Sequence, residues 1–322
     1  MAMTVVTRPE TGSPTPSAAR WGSWIRAAIG LATLAAIVAV AGAEPFVRGL
    51  AAVSPAAVGA AVLLAAAATA AAAWRWRILA GRMGLRLGWL ESIGAYYRSQ
   101  FLNTLLPGGV VGDVHRAVVH GRSVDQVAQA ARAVAAERAA GQAVQLMLAV
   151  GVLAAIGFSA YSPAMTVLLV SVMLAIAALT IAAANRRARS ALGREWAILR
   201  GAFATPGAVV GVVASSTVVV VAHVATFLVA CAAVGIDAPA ERVGAAAVIA
   251  VLASSIPLSV GGWGPREGAA AWAFGAVGVG AAAGLTAATA YGVLAMIALA
   301  PGAAIVMVSL VRRRRGVPGA AS

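Results

Sequence analysis

The chain has 322 residues, is 61% hydrophobic with a mean hydropathy of +0.91, and carries only 11% charged residues. That much apolar surface excludes a water-soluble domain and leaves an all-α polytopic membrane protein. The net charge of +14 arises from 24 basic residues, all of them arginine, against ten acidic ones, and the single Cys231 excludes a disulfide framework or a cysteine metal cluster. Neither a cofactor nor a nucleic-acid partner is expected.

Residues 1–20, rich in Thr, Ser and Pro and without periodicity, read as a disordered tail. The first apolar span follows at Ile25–Ala43. Its Ala41-Gly42-Ala43 end also fits a signal-peptide cleavage site, although the region ahead of the apolar run is long for one. Further full spans are expected at Pro55–Ala73, Gly141–Phe158, Ala164–Ala184, Pro206–Val234 and Leu285–Val311, against about 20 residues needed to cross a hydrocarbon core. Ser54-Pro55, Ser162-Pro163 and Thr205-Pro206 each pair a capping hydroxyl with a proline at the first helical position.

Arginine placement orients these spans. Arg8, Arg20 and Arg26 precede the first, Arg75, Arg77, Arg82 and Arg86 follow the second, Arg186 to Arg200 lie between the fourth and fifth, and Arg312 to Arg315 come last. The intervening loops are poor in arginine, so the positive-inside rule puts both termini in the cytoplasm and the protein in the cell membrane. Trp21, Trp24, Trp74, Trp76 and Trp89 fall near cytoplasmic span ends, as an interfacial belt would have them.

Two regions remain, Ser92–His120 and Val243–Ala283, and each carries a glycine-rich charged signature. The first is Asn103-Thr104-Leu105-Leu106-Pro107-Gly108-Gly109-Val110-Val111-Gly112-Asp113-Val114-His115-Arg116; the second is Ile256-Pro257-Leu258-Ser259-Val260-Gly261-Gly262-Trp263-Gly264-Pro265-Arg266-Glu267. Either half of each region is short for a full crossing, so each region reads as a re-entrant pair of half-helices meeting inside the membrane. The expected fold is six full spans plus two re-entrant pairs, which hydropathy alone would count as eight spans.

Cut near Tyr161, the chain gives two halves of the same order: span, span, broken pair, span. The first half (21–161) starts inside and the second (162–312) starts outside, which is an inverted repeat, followed by a basic cytoplasmic tail at 313–322. Ser54-Pro55 lies 52 residues before Pro107 and Thr205-Pro206 lies 51 before Pro257, while Arg116 and Arg266 are 150 apart. The match is imperfect, since Asp113 precedes Arg116 whereas Glu267 follows Arg266.

Phe101-Leu102-Asn103 through Pro107-Gly108-Gly109, Gly112-Asp113 and Arg116, then Glu137-Arg138, then Gly261-Gly262-Trp263-Gly264 with Arg266-Glu267, resemble the membrane domain of lysylphosphatidylglycerol synthases and their stand-alone flippase-like relatives. The resemblance spans residues 20–312. It implies lipid translocation rather than synthesis, because in the two-domain synthases a separate soluble domain carries out aminoacyl transfer and only Gly316 to Ser322 follow Arg315 here.

The residues themselves suit an anion site. Arg116, Arg138 and Arg266 offer planar guanidinium groups that hold phosphate oxygens in pairs, with Asp113, Glu137 and Glu267 close by. An isolated charge at the bilayer centre costs about 2.5–3.5 kcal/mol, so these groups either pair with one another, contact substrate, or do both. Gly108, Gly109, Gly112, Gly261, Gly262 and Gly264 either present backbone amides to a phosphate or permit close helix approach. Asn103 either binds a headgroup or bonds backbone freed at Pro107. Arg138, Gln142 and Gln145 share one face of the helix that follows Val124, lining a headgroup path or forming an interhelical seam. His115, His120 and His223 have no metal-ligand company and read as solvated or core residues.

Three functions are therefore weighed. The first is a translocase for an anionic or modified phospholipid or a polyprenyl-phosphate lipid. The second is a membrane-embedded lipid transferase using Asp113, Glu137 or Glu267. The third is a non-catalytic membrane partner of a separately encoded lipid synthase. The translocase is preferred, since no metal motif, nucleotide loop or soluble donor domain is recognisable.

Overall fold

The computed structural model describes residues 42–106, 109–156, 186–256 and 263–314, together with Ala32, Ala35, Val38 and Ala39. Outside these lie the expected N-terminal tail, nearly all of the first span, the span at Ala164–Ala184 with Ser162-Pro163, eight signature residues (Pro107, Gly108, Pro257, Leu258, Ser259, Val260, Gly261 and Gly262), and the last residues of the basic tail. The described part is helical: α1 (Glu44–Ala51), α2 (Pro55–Arg82), α3 (Trp89–Leu105), α4 (Val111–Ser123), α5 (Val127–Ile156), α6 (Arg186–Ala202), α7 (Pro206–Ala233), α8 (Ala240–Ala253), α9 (Pro265–Ala276), α10 (Ala281–Ala298) and α11 (Ala300–Arg314).

Among the described residues, α2, α5, α7 and α10 are long and apolar enough to cross a membrane. Their starts follow the sequence logic where caps exist. The Ser54 hydroxyl accepts from the Ala57 amide at 3.2 Å and the Thr205 hydroxyl from the Ala208 amide at 3.4 Å, each ahead of a proline whose missing N–H needs no partner there.

Three span boundaries differ from expectation. Helix α2 runs on to Arg82 instead of ending near Ala73 because its arginines find partners: Arg75 meets Glu137, Arg77 donates to the Leu87 carbonyl at 3.0 Å, and Arg82 donates to the Gly201 carbonyl at 3.1 Å. Helix α5 begins at Val127, in line with the helix expected after Val124, and its membrane-length stretch starts there rather than at Gly141, because Glu137 is neutralised from two neighbouring helices. The expected single span Leu285–Val311 is two helices, α10 and α11, breaking at Leu299 just ahead of Pro301, which lacks the N–H that an uninterrupted helix would use.

Helices α3, α4, α8 and α9 have 17, 13, 14 and 12 residues, each below the roughly 20 required for a crossing. Helices α3 and α4 pack on one another, as do α8 and α9. The most extensive pairing in the molecule is α2 with α7, whose alanines at positions 57, 61, 68 and 72 and at 208, 222 and 230 are buried. Small side chains let the two backbones approach, which is what holds helices together where lipid is as apolar as leucine. Around this axis α2 touches α3, α5 and α10, and α7 touches α8, α10 and α5; α4 packs on α5, α9 on α10, α8 on α5, and α11 on α3.

Candidate functional site

The first signature builds a charge network on Glu137. Its Oε1 accepts from Arg75 Nε at 2.8 Å, from Arg75 Nη2, and from the Tyr96 hydroxyl at 2.9 Å, while Oε2 accepts from Arg116 Nη2 at 2.9 Å. A carboxylate has about four lone-pair sites, so Glu137, fully buried, is saturated. Arg75 also donates from Nη1 to the Ser216 hydroxyl at 3.0 Å, tying α2 and α5 to α7.

Asp113, at the start of α4, is held from four side chains. Its Oδ1 accepts from the Ser99 hydroxyl at 2.9 Å and Arg116 Nη2 at 3.1 Å; its Oδ2 accepts from Asn103 Nδ2 at 3.2 Å and forms an ion pair with Arg138 Nε at 2.8 Å. The Asn103 carbonyl accepts the Gly112 amide at 2.7 Å, and Arg138 Nη2 donates to the Gly109 carbonyl at 2.8 Å. Arg138 thus fastens the turn between α3 and α4 to α5 while half of its side chain stays exposed, at 48%. A Cβ at Gly112 would overlap the Ser99 carbonyl, so glycine there serves the close approach of α3 and α4.

The second signature is built around Arg266 at the start of α9. Arg266 donates from Nε at 2.9 Å and also from Nη2 to Oε1 of Glu267, whose Oε2 accepts the Gly264 amide at 2.6 Å. Gly264 caps α9 at φ +105, a conformation that a residue with a Cβ rarely adopts. Each signature arginine lies between a tryptophan and a tyrosine. The Arg116 guanidinium carbon is 4.4 Å from the Trp76 ring centroid and 4.3 Å from that of Tyr96, and the Arg266 carbon is 5.1 Å from both Trp263 and Tyr291. Stacked rings stabilise a desolvated guanidinium by about 2 kcal/mol, which helps to hold these charges inside a membrane.

Both networks border one cavity of about 340 Å3 at the junction of the two halves. Arg75, Asp113 and Arg138 reach it from the first half and His223, Arg266 and Tyr291 from the second. One wall is apolar, made by Ala61, Leu64, Ala65 and Ala68 of α2 with Val219 and Val220 of α7. Deep in the second half, His223 Nδ1 lies 3.1 Å from the Tyr291 hydroxyl. Among the described residues no cluster of metal-ligating side chains occurs.

A family model for the lysylphosphatidylglycerol synthase TM region matches residues 24–302. The chain belongs to this family. Comparison with curated proteins and with solved structures returns no match. Membership in the lysylphosphatidylglycerol synthase TM family makes the chain an integral membrane protein and ties it to membrane lipids.

The residues singled out in the sequence divide in this family member into two groups. Asn103, Gly109, Asp113, Arg138, Gln142 and Arg266 line the cavity. Gly112, Arg116, Glu137, Gly264 and Glu267 do not, and instead form the supports behind it; Arg116 and Glu137 are almost wholly buried. Pro107, Gly108, Gly261 and Gly262 lie outside the described residues. Arg75 and Trp76, read as a topology signal and an interfacial ring, are buried members of the Glu137 network, drawn in by the carboxylate and the stacked guanidinium. Tyr96, Ser99, Ser216 and Tyr291 went unnoticed because an isolated hydroxyl in an apolar run has no spacing signature; only pairing each signature arginine with a nearby aromatic would have pointed to the tyrosines.

Proposed function

We propose that this protein moves an anionic lipid headgroup between the leaflets of the cell membrane, with both termini in the cytoplasm. The observation that carries the proposal is the single cavity that Arg138 enters from the first half and Arg266 from the second, beside an apolar wall of α2 and α7. A headgroup phosphate meets the guanidinium groups while the acyl chains stay against the apolar wall and the lipid beyond it.

An inverted repeat underlies the site, and the packing supports it. Exchanging α2 for α7, α3 for α8, α4 for α9, and α5 for α10 with its extension α11 carries the contacts among these helices onto one another; α1 and α6 stand outside the exchange. Gly141 and Gly292, 151 positions apart, each leave room for a guanidinium, though of arginines on helices that do not correspond: a Cβ on the first would sit 2.9 Å from the Arg75 guanidinium carbon, and one on the second would overlap Arg266 Nη2. With the short pairs α3–α4 and α8–α9 entering from opposite faces, the cavity is a midplane site exposed alternately to either side.

The state of the carboxylates favours translocation over group transfer. A general base needs a lone pair directed at substrate, whereas Glu137 is filled by donors, Asp113 is held from four side chains and Glu267 is wholly buried against Arg266 and the Gly264 amide. The decisive experiment reconstitutes the purified protein in liposomes holding a trace of fluorescent anionic phospholipid. The lipid is expected to become accessible to an outside quencher from both leaflets; a slow, protein-independent exchange would refute translocation.

A further inference from the structure

The headgroup preference of this cavity follows from the fate of its charges, taking the cavity to be the headgroup site proposed above. Among the described acidic residues, only Asp113 lines the cavity. It accepts hydrogen bonds from Ser99, Asn103 and Arg116, and its charge is neutralised by ion pairs with Arg116 and Arg138. Glu137 and Glu267 stand behind the wall, fully buried and held by Arg75, Arg116, Tyr96, Arg266 and the Gly264 amide. The remaining described acids are spent elsewhere or lie off the cavity: Glu44 pairs with Arg48, Glu195 with Arg132, and Glu91 lies 3.7 Å from His120. A ligand ammonium group would therefore enter among Arg75, Arg138 and Arg266 with no carboxylate open to receive it, and would be repelled.

The uncharged polar lining has the opposite character. Side-chain amides of Gln100, Gln142 and Gln145 and the hydroxyls of Ser254 and Ser255 face the cavity. Gln142 is exposed and has no hydrogen-bond partner among the described residues, so its carbonyl and both N–H groups are open. Gln145, by contrast, is held by the Val251 carbonyl at 3.3 Å and the Ser255 hydroxyl at 3.1 Å, which fixes its amide in place. Neutral amides that both donate and accept suit hydroxyl groups, which do the same.

We infer that the cavity selects an anionic headgroup rich in hydroxyls and lacking an ammonium, such as a glycerol or sugar phosphodiester, and rejects aminoacylated lipids of the kind the family description names. Arg138 and Arg266 take the phosphate, and Gln142 reads the hydroxyls.

Equilibrium binding to the full-length detergent-solubilised protein tests this apart from transport. The probes are phosphatidylglycerol, phosphatidic acid and lysyl-phosphatidylglycerol, followed by native mass spectrometry. Phosphatidylglycerol is expected to bind about tenfold more tightly than lysyl-phosphatidylglycerol, the ratio that one unsatisfied buried polar contact produces. Gln142→Ala should bring phosphatidylglycerol down to the level of phosphatidic acid and leave phosphatidic acid unchanged. Gln142→Glu, which puts an open carboxylate of the same shape into the cavity, should tighten lysyl-phosphatidylglycerol several-fold. Equal or tighter binding of lysyl-phosphatidylglycerol to the wild-type protein would overturn the inference, as would a Gln142→Ala variant that weakens both anionic lipids alike. The translocase reading fails separately, if lipid binds but does not change leaflets.

Discussion

Glu137 is the residue on which most of the buried charge depends. It neutralises Arg75 and Arg116 at once, and neither arginine has another buried carboxylate of its own, since Arg116 shares Asp113 with Arg138. Removing one partner of a buried pair leaves a charge without compensation, typically at about 3–5 kcal/mol. Glu137→Gln keeps the shape and removes the charge, so its thermal unfolding in detergent should begin well below that of the wild type. Unchanged unfolding would mean that the stacked rings on Arg116 and the Ser216 hydroxyl on Arg75 hold the guanidinium groups without the carboxylate charge. Arg116 illustrates the same economy of roles: it carries the most recognisable position of the first signature, yet it is sandwiched between Trp76 and Tyr96 and stands behind the cavity, where it holds Asp113 and Glu137. Arg138, which looked like its companion in the sequence, is the one with an open side.

Among the elements, the shortened helices and the break between α10 and α11 are the features that shape the site. Helix α11 turns away after Leu299 and packs on α3, where a Cβ at Gly302 would overlap the Tyr97 carbonyl. Gly302→Leu should therefore push α11 off α3 and destabilise the protein by about 1–3 kcal/mol, read as a lower unfolding temperature; full stability would show that this contact is slack. Much of this layer was legible in the sequence. Ser54-Pro55 and Thr205-Pro206 mark helix starts because capping is local chemistry, and the short apolar runs around each signature mark four helices too short to cross. Where α2 continues was not legible, because it extends through Arg75 by pairing with Glu137 of α5, 62 positions away. A hydropathy window sees two charges there; it does not see a pair. The split of Leu285–Val311 was announced by Pro301, which the apolar length of the segment concealed.

For the molecule as a whole, the repeat makes a claim about direction. In the proposed topology helix α8 enters from outside, and it stops near Ile256, which is 42% exposed. In a Cys231→Ala background, which removes the sole native thiol, Ile256→Cys should react with a membrane-impermeant maleimide added outside the cell; reaction from the cytoplasmic side alone would mean that α8 and α9 are full crossings. In the function proposed above, guanidinium groups from the two halves meet a travelling headgroup in one cavity. That claim is tested most directly by leaflet exchange of an anionic lipid in proteoliposomes containing wild-type protein, Arg138→Gln or Arg266→Gln, each shown to be folded by its unfolding transition. Each substitution is expected to slow exchange by about tenfold or more, the loss of one charge-assisted phosphate contact. Folded variants that exchange lipid as fast as the wild type would contradict the account.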